Sequence, residues 1–460
     1  MPPQGTTDAH AQQALQEDGA AIGRAHPPPS AKGARADGTA GGEPRPWSRL
    51  RLGLSERVMG LRNPIRELTE GMSPPNPEKR VISLAVGDPS SAGLAAAPAN
   101  AAGALAAACA AATHNGYTNS CGSEECRRAI ARAAGARAVE DVFVCSGCSQ
   151  GLMHSIAALA APGANILLPR PGFPLYEVLA GYHGVEARFY PLRPEADWRV
   201  DVGALEALAD ERTCAIVVCN PSNPCGAVYP REHLGELVAA AARLRVPLIA
   251  DEVYSGISWA EHPFVPLASV ATDPARDAAA RAPVIELGAI SKRFVAPGWR
   301  LGWMVLHDAN GIFEASGVRT ALTKLQQITL SANSLAQAAV PALLHECPPA
   351  YHRELNASLA AAARLCFERC AAVPALHAAS LPQGAMYLMC RVDVDRLGAE
   401  ITDDRAFADL LVREESVRVL PGACFGLGGY VRVVFAATRA DLDEAWDRIE
   451  AFCRRHLLAR

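Results

Sequence analysis

Between about residues 100 and 350 the chain alternates short, continuous apolar runs with longer stretches of helical spacing. The runs are Val142 to Cys145, Asn165 to Leu168, Cys214 to Cys219, Pro247 to Ala250, Val284 to Leu287 and Leu301 to Leu306. Unbroken apolar strands joined by helical crossovers predict an α/β fold, with a large domain over 96–350 whose mainly parallel sheet is covered by helices on both faces. The pattern differs on either side. Leu54 to Leu68 has helical spacing and Val81 to Val86 reads as a strand closing on Gly87. Beyond 350 come a long alanine-rich helix, strands near 385–392, 417–420 and 430–435, and a terminal amphipathic helix. These predict a smaller α+β domain over 351–460, joined by an N-terminal segment, 49–95. Residues 1–48 are rich in Pro, Gly, Ala and Gln and too poor in large apolar residues to bury a core, so a disordered tail is expected.

Composition narrows the function. A net charge of −4 and a pI near 6.3 give no basic field for nucleic acid or an anionic membrane, leaving small molecules and further copies of the chain as expected partners. The most apolar stretch, Ala101 to Ala112, is mostly alanine and reads as a helix, not a membrane span. The 14 cysteines are scattered, as suits free thiols in a reducing compartment. Cys145 and Cys148 form the spacing C-x-x-C, but without a second such pair, so no metal site is expected. Asp8, Glu17, Asp18, Asp37 and Glu43 are more acids than a mitochondrial transit peptide carries, and a cytoplasmic location is expected.

Lysine is the residue whose usage changes the picture most. Only Lys32, Lys79, Lys292 and Lys324 occur among 44 basic residues. A chain that uses arginine for nearly all its positive charge keeps an amine where guanidinium cannot substitute, for example as a Schiff base to a carbonyl cofactor. Lys292 has the surroundings for it, because in open parallel sheets ligands gather at the carboxyl ends of strands. Ser146 to Gly151 at a strand-to-helix junction is either an ordinary turn or an anion cradle of backbone N–H groups. Asp251, at the end of an apolar strand, needs a cationic partner: an arginine or a protonated ring nitrogen. Tyr254 is either packing or a phenol presented to the same ligand. Lys292 and Arg300 flank a Pro-Gly turn, and Arg432 within Tyr430 to Phe435 is either a surface charge or a fork for a carboxylate.

As a set, Asn220-Pro221-Ser222-Asn223-Pro224-Cys225-Gly226, Asp251-Glu252-Val253-Tyr254, Ser291-Lys292 with Pro297-Gly298-Trp299-Arg300-Leu301-Gly302-Trp303, and Arg432 resemble fold-type I, class I pyridoxal-phosphate aminotransferases. Asn63-Pro64-Ile65-Arg66, Ser146 to Gln150, Pro171-Gly172-Phe173-Pro174 and Gly384 to Met389 resemble in particular the tyrosine aminotransferase branch. The resemblance implies pyridoxal 5'-phosphate as cofactor, bound covalently by Lys292, with Asp251 on the ring nitrogen and Tyr254 and Asn223 on the ring hydroxyl. It places Gly147, Cys148, Ser149 and Arg300 around the phosphate, Phe173 on the ring face and Ser291 among the cofactor-binding residues. It gives the α-carboxylate to Gly87 and Arg432, and it implies a homodimer in which Tyr117 reaches the partner's phosphate. Ala289 departs from the family, where a hydroxyl residue often stands three before the lysine. The implied activity moves the amino group of an aromatic L-amino acid to a 2-oxo acid such as 2-oxoglutarate. A broad or alanine specificity and carbon–sulfur lysis on the same fold are the alternatives.

Overall fold

The computed structural model describes residues 55–90, 96–259 and 261–458. The tail expected to be disordered lies outside the described residues.

Fourteen strands are numbered along these residues: β1 Ile82–Ser83, β2 Val142–Cys145, β3 Asn165–Arg170, β4 Glu186–Arg193, β5 Arg199–Val200, β6 Thr213–Cys219 and β7 Leu248–Asp251, then β8 Val284–Ala289, β9 Gly302–His307, β10 Leu376–Ala378, β11 Tyr387–Val392, β12 Val417–Arg418, β13 Leu420–Pro421 and β14 Tyr430–Val434. Eight of them form one sheet in the order β2-β9-β8-β7-β6-β3-β4-β5. The pairings from β8 through β7, β6 and β3 to β4 are parallel, whereas β9 runs antiparallel between β8 and β2, and β5 antiparallel to β4. The six apolar runs are all strands. β4 and β5 are not legible as such, because Glu186-Ala-Arg-Phe-Tyr-Pro-Leu-Arg193 interleaves charge with apolar residues. A strand near the sheet's edge permits that, and β4 buries only Tyr190 and Leu192.

Helices cover both faces, and each face has its own apolar layer. One layer joins Ile166, Leu168, Ile249 and Ile285 to Leu152, Ile156 and Leu322, and the other joins Ile216, Val218 and Leu248 to Leu234, Leu237 and Val238.

A second sheet, β10-β11-β14-β13, is antiparallel throughout and packs on the helices Pro349–Ala372 and Arg439–His456. The N-terminal segment forms a separate two-stranded sheet with β12, by parallel pairing of Ile82 with Val417, reinforced by a Lys79–Glu415 ion pair at 2.7 Å. The strand expected over 81–86 is therefore only two residues long. The helix expected over 54–68 is two pieces, Glu56–Met59 and Pro64–Gly71. Pro64 lacks the N–H that a continuous helix would use, and Asn63 instead caps the second piece by accepting the Arg66 N–H at 3.2 Å. No helix among the described residues is long and apolar enough to cross a membrane, and no group of three His, Cys, Asp or Glu side chains there could hold a metal ion.

Candidate active site

The strand ends of the large sheet converge on a cavity of about 410 Å³. β7 delivers Asp251, the loop after β6 delivers Asn223, the segment after β8 delivers Ser291 and Lys292, and the helix after β2 begins at Cys148. Strand β14 brings Arg432 from the small sheet and the helix Pro64–Gly71 adds Ile65, Arg66 and Thr69 to the wall. Gly87, Ser149, Phe173, Tyr254 and Arg300 complete the expected residues that line it. Gly147 stands behind Arg300. Tyr117 does not line it and is 91% exposed. Ala289 is buried at the end of β8 and supplies no side-chain hydrogen bond.

Asp251 is 3% exposed. Its carboxylate accepts from the Tyr176 hydroxyl at 2.6 Å, the Val253 N–H at 3.3 Å and the Cys148 thiol at 3.5 Å. Burial raises its pKa above the usual carboxylate range, and those three donors and the Lys292 charge oppose the rise without cancelling it. Only neutral hydrogen-bond donors touch the carboxylate, and a protonated nitrogen in the cavity would relieve it. The Cys148 thiol turns inward to Asp251, which leaves its backbone N–H as the group available to an anion. Tyr176, two residues after the Pro171 to Pro174 motif, escaped the sequence reading because nothing in its own neighbourhood marks a phenol aimed at a distant strand end.

The anion cradle follows from Gly147. Its φ of 78° is in the region that favours glycine, and a Cβ there would stand 2.6 Å from Arg300 Nη2. The guanidinium therefore lies against the start of the helix Cys148–Leu159, donating to the carbonyls of Pro297 at 2.9 Å and Ser146 at 3.3 Å. The N–H groups of Cys148 and Ser149 have no intrahelical acceptor, and the helix dipole adds to the Arg300 charge. This combination fits a phosphate. The cradle, the buried Asp251 carboxylate and the amine of Lys292, whose Nζ donates to the Gly87 carbonyl, together fit the three polar ends of pyridoxal phosphate.

Arg432 is not a surface charge. β14 lies between β11 and β13, and Arg432 is 2% exposed, its guanidinium carbon 4.3 Å from the Tyr387 ring centre and 4.6 Å from that of Phe425. Nη1 donates to Asn223 Oδ1 at 2.8 Å and Nη2 to the Ala85 carbonyl at 2.6 Å, while Nε has no hydrogen-bond partner. A buried guanidinium held only by neutral acceptors is arranged for an anion from outside. Asn223 thus serves Arg432 through its oxygen. Tyr254 is linked through its hydroxyl to that of Tyr387, a residue visible in sequence only as part of the Gly384 to Met389 motif.

Gly87 fits no side chain: an added Cβ would be 2.2 Å from the Tyr387 hydroxyl, and that ring is 2% exposed. Gly87→Ala should displace Tyr387 from Tyr254 and Arg432, lowering kcat/KM by roughly 10- to 100-fold, in line with an overpacking cost of about 1–3 kcal/mol. Steady-state kinetics indistinguishable from wild type would show that the ring yields freely.

A family model described as aminotransferase class I and II matches residues 79–449. The chain belongs to this family. The aminotransferase is 38% identical over 399 residues to tyrosine aminotransferase of Homo sapiens, covering 86% of each chain. Among solved structures it matches tyrosine aminotransferase from Leishmania infantum with a TM-score of 0.82 at 29% identity, covering 89% of this chain and 100% of that one. An alanine aminotransferase from Pyrococcus furiosus matches with a TM-score of 0.78 at 30% identity, covering 88% and 100%. The chain is accordingly a pyridoxal-phosphate-dependent aminotransferase of fold-type I.

Proposed function

We propose that this aminotransferase moves the amino group of an aromatic L-amino acid, tyrosine foremost, to 2-oxoglutarate, working as a cytoplasmic homodimer. The observation that carries the chemistry is Arg432, a buried guanidinium on the wall of the cavity that Lys292 also lines, with its Nε left without a hydrogen-bond partner. The aromatic preference is supported by the likeness to tyrosine aminotransferases. The second-copy reading is supported by Tyr117 at 91%, Ile328 at 77% and Leu330 at 49% exposure, the last two flanking Thr329, which is tied to Gln150 at the cradle helix.

Pyridoxal phosphate, when bound, supplies a carbonyl carbon and a conjugated ring that accepts the electron pair left when the substrate Cα loses its proton. Gly147, Ser149 and Arg300 with the Cys148 N–H would hold its phosphate, Phe173 its ring face, and Ser291 the wall beside it. Asp251 would hold a proton at the ring nitrogen, and Tyr254 would donate to the ring hydroxyl. Arg432 would grip the α-carboxylate and so orient the Cα–H bond for proton removal. The Lys292 amine would take that proton and deliver it to the cofactor's carbonyl carbon. Guanidinium could not do so, because it does not titrate in this range.

A panel of donors, with tyrosine, phenylalanine, alanine, methionine and aspartate against 2-oxoglutarate and pyruvate, tests the proposal. Aromatic donors should lead, with the amino group recovered in the new amino acid. Alanine ahead of tyrosine, or free ammonia with pyruvate, would sink it. In the same assay Arg432→Ala should raise the KM for tyrosine about 100-fold, the loss of a charge-assisted pair, with the cofactor's absorbance retained.

A further inference from the structure

We propose that Tyr387 is a positioning residue for the reaction: its hydroxyl donates to the Tyr254 oxygen and so fixes the Tyr254 O–H as the donor to the ring hydroxyl of the cofactor. This role rests on Tyr254 as the partner of the ring hydroxyl and adds the group that orients it.

The two phenols arrive from different sheets. Tyr254 follows β7 of the large sheet, and Tyr387 opens β11 of the small one, opposite Val434 of β14. Their rings meet edge to face, with centres 5.6 Å apart and planes at 84°. Both are buried, and among the described residues the hydroxyl of each has the other as its one hydrogen-bond partner. Tyr387 is held in place from two further sides. The Arg432 guanidinium carbon lies 4.3 Å from its ring centre, and a Cβ added at Gly87 would stand 2.2 Å from its hydroxyl oxygen, so the Gly87 backbone closes that side. Lys292 Nζ is 6.0 Å from the Tyr254 ring centre, which puts the phenol pair beside the amine that takes the cofactor.

The ring hydroxyl decides which phenol donates to which. Once the cofactor is joined to Lys292, its ring oxygen carries negative charge and is an acceptor, so the Tyr254 O–H points to it. The Tyr254 oxygen is then free to accept, and Tyr387 is the donor that faces it. A phenol that accepts one hydrogen bond donates a stronger one, because the chain of bonds polarises in a single direction. Burial and the facing Tyr387 raise the Tyr254 pKa well above its usual range, against a lowering by Arg432, so the phenol keeps the proton it donates.

The test reads the absorbance of the holoenzyme against pH with no substrate present. The midpoint reports the proton shared by the Lys292 nitrogen and the ring oxygen, and a hydrogen bond to that oxygen lowers it by favouring the negative charge. Tyr387→Phe keeps the buried ring on Arg432 and leaves Tyr254 the ring oxygen as partner, so the variant should fold and bind cofactor. Its midpoint should rise by about half to one pH unit, roughly 3- to 10-fold in proton affinity, the effect of losing one hydrogen bond. In a Tyr254→Phe background the same substitution should leave the midpoint in place, because its route to the ring is gone. A midpoint unmoved by Tyr387→Phe with Tyr254 intact, or moved equally in both backgrounds, overturns the proposal. No shift in Tyr254→Phe alone would overturn the placing of Tyr254 on the ring hydroxyl, and the role of Tyr387 with it.

Discussion

Lys292→Ala should lose transamination by at least about 10⁴-fold, the upper range for removing a positioned proton-transfer group, and should no longer bind the cofactor covalently. Lys292→Arg should fare no better, since it keeps the charge and loses the titratable amine. The protein should still fold, because Lys292 is half-buried and, among the described residues, its amine hydrogen-bonds only the Gly87 carbonyl. Borohydride reduction of the holoenzyme followed by peptide mapping checks the assignment directly. The label belongs on Lys292. Lys79 is committed to the buried Glu415, and Lys324 lies in the helix Val318–Thr329 and does not line the cavity. A label on Lys324, or none, would refute the site.

The candidate site was legible where the chain marks it locally, and obscure where the fold brings distant residues together. Asp251 and Lys292 end apolar strands, and strand ends can be read from hydrophobic runs. Arg432 was visible as a residue but not as a buried one. Its alternation with valines suits an edge strand equally well, and only the pairing of β14 between β11 and β13 removes that option. Tyr176 and Tyr387 carry no such mark, because a phenol's role depends on what lies opposite in space. The Cys148 thiol was hidden for a related reason: a helix N-terminus announces an anion site through its backbone, yet says nothing of where its own side chain turns. The fold follows the same division. The buried central strands were plain, whereas β4 and β5 near the edge carry charges that mask them, and the break at Pro64 split one expected helix into two pieces.

Asp251→Asn should move activity and stability in opposite directions. Tyr176 and Val253 hold the carboxylate from two sides, and asparagine can satisfy both, its oxygen staying on the Val253 N–H and its amide nitrogen donating to the Tyr176 oxygen. What is lost is the charge. In the holoenzyme this breaks a buried ion pair with the ring nitrogen at roughly 3–5 kcal/mol, so kcat should fall on the order of 10³-fold. In the cofactor-free protein the sign reverses. A buried carboxyl whose pKa is raised favours the fold only while protonated, so its contribution is present below the unfolded carboxyl pKa and lost as pH rises through the folded one. At neutral pH the apo form carries this burden and the asparagine variant does not. Thermal melts of the two cofactor-free proteins near pH 7.5 should therefore give the higher Tm to Asp251→Asn, with the gap closing as pH is lowered. A lower Tm for the variant would mean that the carboxylate finds a cation within the protein itself, and the ring nitrogen would lose its claim on Asp251.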